Sequence, residues 1–113
     1  MAAAEASAAA EAAEIDAVRA VLSSIARDES EHAALAYRFV RWAITVGGKP
    51  VRESARVGFD AAIGRIRGEP RAEISEDGAV WLRHGRLPRR QRSELRARVI
   101  ECVLTPSARE LFA

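Results

Sequence analysis

A single cysteine, Cys102, rules out an internal disulfide and any cysteine-based zinc cluster. With 7 Gly and 4 Pro in 113 residues there is too little punctuation for a many-stranded sandwich. Long hydrophobic runs are missing as well. The longest stretch without a charge is of the length of Trp42 to Gly48, so no segment can span a membrane. The start of the chain has no basic residues and carries Glu5 and Glu11, unlike a secretion signal or a transit peptide. These absences point, by default, to the cytoplasm. No glycine-rich phosphate loop is present, and no Ser/His/Asp or Cys/His nucleophile set, so hydrolase and nucleotide-binding chemistry have no support.

The chain has instead an apolar content of 49% with 30% charged residues, enough for one domain with a core. Alanine supplies 24 of these residues, and it favours helix while burying little surface. The larger Ile, Leu, Val, Phe and Trp side chains must therefore form the core. From Ala2 to Val46 there is neither Gly nor Pro, and Gly47, Gly48 and Pro50 stop the run. Asp16 is a fair N-cap, with Arg19 at the position where a capping box would have Glu. A break near Glu14–Ala17 would give two antiparallel helices. Ile15, Val18, Leu22, Ile25, Glu29, His32, Ala36, Phe39, Ala43 and Val46 then alternate at spacings of three and four, a seam facing other helices. A shorter helix is expected from about Val51 to Arg67, ended by Gly68 and Pro70. An acidic connection covers 69–79, and Ala79–Leu82 is a short apolar patch. One more amphipathic helix runs from Arg89 to Leu104, carrying Leu95, Val99, Cys102 and Val103, with Pro106 as its stop and Cys102 as a small core residue; Ser107–Phe112 can form a last turn, with Leu111 and Phe112 packing back. The expected fold is all-α: a helical hairpin over 1–48, then a helical extension over 49–113 with two shorter helices.

Two seam positions are wrong for a plain core. Glu29 and His32 replace consecutive apolar residues, and a buried unpaired carboxylate costs several kcal/mol. At i and i+3 their side chains share one face, one turn apart, so a carboxylate oxygen and an imidazole nitrogen can converge on one metal ion. A hairpin turning near Ala17 would set Glu5 level with Glu29, making it a third donor. The blander reading of the pair is a polar contact between helices.

Glu5 on one helix and Asp28-Glu29-Ser-Glu31-His32-Ala-Ala-Leu-Ala-Tyr37-Arg on the next resemble the last two bundle helices of ferritin-like proteins. The segment is most similar to a bacterial, myxobacterial-type group with a D-E-x-x-H-A-x-L-A-W/Y-R pattern. His84-Gly-Arg-Leu87 and Leu104-Thr-Pro106 resemble the end of those proteins. The resemblance implies half of a four-helix bundle and a site for two iron or manganese ions, with Glu5, Glu29 and His32 as metal ligands. Chemistry on that site would be iron oxidation or oxygen activation. Three ligands are half of the six that such a site uses. A second copy, in a homo-oligomer, or a separate bundle half would have to supply the rest.

Charge is unevenly spread. Seven arginines fall between Arg83 and Arg98, with Glu94 the only acid among them. They lack interleaved aromatics and any nucleic-acid motif, so a solvated basic face is the better reading than phosphate contact. Three functions stand from the sequence, in this order: a ferritin-like metal-binding protein; a non-catalytic helical interaction protein whose Glu29–His32 pair is a vestige or an interhelical polar contact; and a weak nucleic-acid binder using Arg83–Arg98.

Overall fold

The computed structural model describes residues 1–68 and 82–113; the acidic connection and most of the apolar patch after it lie outside the described residues. All the regular structure among the described residues is helical. Helix α1 is Ala2–Ala12 and helix α2 is Asp16–Gly68. Helix α3 is Arg89–Val99, a π-helical turn comes next over Ile100–Leu104, and helix α4 is Thr105–Leu111. The all-α class is thus observed.

The expected break near Asp16 is present, slightly earlier in the chain than the spacing predicts. Ala13 leaves helical geometry at φ −72°, ψ 127°, and it is completely buried in the corner. Arg19 does not act as a capping-box residue. Its Nε and Nη2 donate to the Ala13 carbonyl at 3.0 and 2.6 Å, satisfying a backbone acceptor at the end of α1. Helix α1 packs on α2 through small side chains, Ala9 and Ala10 being buried.

Helix α2 has 53 residues and would be about 80 Å long if straight. The molecule measures only 50 Å along its longest axis. The difference is made at Gly48, where φ 66° and ψ −148° break the helix in a conformation that only glycine adopts easily. Pro50 then falls in the first turn of the second arm, where a missing N–H costs nothing. The second arm carries Phe59, whose ring meets that of Phe112 edge-on at 5.8 Å, tying α2 to the end of the chain.

Pro106 does not end the last helix. The Thr105 N–H bonds back to the Ile100 carbonyl, an i→i−5 link, so the backbone widens before the proline. The wider turn takes up the space where a proline ring would strike the preceding turn, and the helix continues to Leu111. The extra residue also rotates the rest of the helix about its axis. Ile100 and Leu111 are buried, whereas Cys102 and Val103 face outward, so Cys102 is an exposed thiol and not a core residue.

The molecule is a slab 16 Å thin at its narrowest. Among the described residues, no large side chain is fully buried. Its accessible surface of 8239 Å² compares with about 6,100 Å² for a compact monomer of this mass.

Candidate functional site: the first arm of helix α2

The first arm of α2, residues 16–47, carries all the sequence candidates but Glu5. Its two sides have opposite fates. Val18, Leu22, Ala26 and Glu29 are half-buried, and Val18 and Leu22 lie against the chain around Gly85. Gly85, at φ 77°, lies so close that a Cβ there would sit 2.6 Å from Leu22 Cδ1 and 2.7 Å from Val18 Cγ1. An ion pair between Arg83 and Glu14 at 2.9 Å pins the same crossing.

The other side is bare. Val21, Ile25, Asp28, His32, Leu35, Phe39, Trp42 and Val46 are all exposed, and they recur at alternating spacings of four and three. That is an a/d heptad seam, displaced around the helix from the one expected. Leu35, Phe39, Trp42 and Val46 are 59–69% exposed, and the Phe39 and Trp42 rings lie together with centroids 5.8 Å apart. The expected seam is therefore split: Val18, Leu22, Glu29 and Ala43 are half-buried, while Ile15, Ile25, His32, Ala36, Phe39 and Val46 face out.

Glu5, Glu29 and His32 come to lie in three different settings. Glu5 accepts a hydrogen bond from Arg96 Nε at 2.6 Å, in a partly buried ion pair that joins α1 to α3 across 91 residues of sequence. Glu29 is half-buried, and His32 is exposed. Among the described residues no group of three or more His, Cys, Asp or Glu side chains is placed to hold a metal ion. The corner explains why. Centred on Glu14 and not on Ala17, it sets Glu5 level with Ser23, about 9 Å along the axis short of Glu29.

Several arginines of the basic stretch are used internally. Arg83 holds Glu14, Arg90 holds Glu94 at 3.0 Å, and Arg96 holds Glu5. Arg92 Nη2 reaches the Leu87 carbonyl at 3.5 Å. Sequence reading misses the Glu5–Arg96 pair, because no local pattern connects residues so far apart. It misses the displaced seam too, although a signal for it exists: the series from Val21 to Val46 keeps the heptad rhythm, interrupted only by Asp28 and His32. No family model, curated protein or solved structure matches this chain.

Proposed function

We propose that this chain is a non-catalytic helix-docking protein, whose exposed seam from Val21 to Val46 binds an amphipathic helix of another chain. One observation carries this reading. Six large apolar residues stand exposed in coiled-coil rhythm along one face of a single helix arm. Apolar surface of that kind, unbroken along the seam from Leu35 to Val46, is costly in water and marks an interaction site. The start of the arm is held in place, since Arg19 ties it to the corner at Ala13 and Gly85 rests on Val18 and Leu22. The internal use of the arginines supports this reading over phosphate binding.

A photo-crosslinking side chain in place of Trp42, in the full-length protein, tests the proposal together with light scattering. Position 42 should crosslink to a second polypeptide, and Leu35→Glu with Phe39→Glu should abolish both crosslinking and any association without lowering helix content. Docking elsewhere, or none, is the conclusion if the double variant changes neither readout. Metal binding through Glu29 and His32 would need donors beyond those that the described residues bring together, Glu5 being paired with Arg96. Stoichiometric iron, manganese or zinc in the purified protein, lost in Glu29→Gln, would replace the docking reading with the ferritin-like one.

A further inference from the structure

Resting on that docking reading, we infer that the seam's partner is a second copy of this chain, laid antiparallel across a two-fold axis level with Ala33 and Ala34. Three observations on the first arm of α2 lead there.

The first is extent. The exposed seam begins at Val21 and ends at Val46, immediately before the break at Gly48. A two-fold axis at its midpoint superposes the whole of one seam on the whole of the other. Val21 then meets Val46 of the partner subunit, and Ile25 meets the partner's Trp42, so that every large apolar residue is covered from end to end. The six large apolar residues so covered are 43–69% exposed in the single chain.

The second is the polar pair in the middle. A parallel arrangement in register would stack Asp28 on the partner's Asp28, two like charges at one layer of the seam. The antiparallel arrangement separates them. Asp28 faces the partner's Phe39 and His32 faces the partner's Leu35, so no two like charges share a layer.

The third is charge complementarity along the flank. Residues 24, 31, 38 and 45 sit beside the seam at the position that meets its own counterpart in an antiparallel pair. The axis chosen by the apolar residues brings Glu31 opposite the partner's Arg38, twice per dimer. Both side chains are exposed, and among the described residues neither makes an ion pair or hydrogen bond within its own chain. In a parallel pair Glu31 would face Ala36 and Arg38 would face Ala43, and neither charge would be answered. Seam length thus fixes the position of the axis, and the avoided Asp28 stack and the flank charge select the antiparallel sense.

The test combines charge reversal with a distance. Dimer dissociation constants of the full chain would be measured by sedimentation equilibrium for the wild type, Glu31→Arg, Arg38→Glu and the double variant. Each single reversal sets like charges face to face at two symmetry-related places, and it should weaken the dimer about tenfold. The double reversal should restore it. A spin label at position 20, in a Cys102→Ser background that removes the exposed native thiol, reports direction. The antiparallel pair puts the two labels about 40 Å apart along the axis. A parallel pair puts them at neighbouring-helix spacing, under roughly 20 Å. A dimer with the short distance, or single reversals that leave its dissociation constant unchanged, overturns this arrangement while leaving the seam as a docking site. A monomer at high micromolar concentration that still crosslinks from position 42 to a different protein overturns self-docking alone. Absence of both association and crosslinking overturns the docking reading as well.

Discussion

At the scale of single residues, the corner between α1 and α2 is where small changes should matter most. Gly85 combines a positive φ with a backbone pressed on Val18 and Leu22. Gly85→Ala should lower stability by about 1–3 kcal/mol, from strain and overpacking together. Equilibrium urea denaturation measures this, and an unchanged midpoint would mean that the chain at Gly85 does not rest on α2. Glu5 offers a paired test. Its carboxylate receives a charged donor in a partly buried setting, so Glu5→Gln should cost about 1–2 kcal/mol. Glu11 is exposed on the same helix with no partner among the described residues, and Glu11→Gln should leave stability unchanged. Equal effects of the two would show that the Arg96 pair contributes nothing.

At the scale of elements, α2 separates two kinds of apolar residue that look alike in sequence. Leu22 is half-buried against the Gly85 turn, whereas Leu35 is exposed. Leu22→Ala should cost about 1–3 kcal/mol of folding stability, a partial cavity loss. Leu35→Gln should change the stability of the isolated chain by less than about 0.5 kcal/mol and act on association. Thermal melts of both at the lowest workable concentration distinguish them, and a large loss for Leu35→Gln would mean that the seam is covered from within. The helical rhythm of residues 16–46 was legible because the period is written in residue types. Which phase of that rhythm α1 covers was not, because alanine-rich α1 carries almost no pattern of its own to say where it lies. That the helix runs unbroken through Pro106 into this last turn was illegible for a related reason. Proline announces the loss of one hydrogen bond, and only the widened turn before it shows how the backbone accommodates that loss.

At the scale of the whole molecule, thinness decides behaviour. A radius of gyration of 16.5 Å is larger than the roughly 13 Å of a compact chain of this length. So open a shape leaves little core per residue, and stability should come in part from association. The melting temperature should therefore rise with protein concentration, by mass action on the assembled form. Scanning calorimetry at two concentrations a hundredfold apart checks it; coincident transitions would mean that the folded chain gains nothing from a partner.

The sequence by itself determined that the chain is helical, that α1 turns into α2 close to Asp16, and that Gly48 ends the first arm. Each is a local matter of propensity, rhythm or backbone freedom, settled within a few residues. Only the tertiary structure decided that Glu5 belongs to Arg96 and not to Glu29, since a shift of the corner by three residues changes which turns stand level. It alone decided, too, that the face carrying Asp28 and His32 is left open. That depends on where α1 and the C-terminal segment lie against α2, and contacts between distant segments are set by packing, which no local pattern encodes.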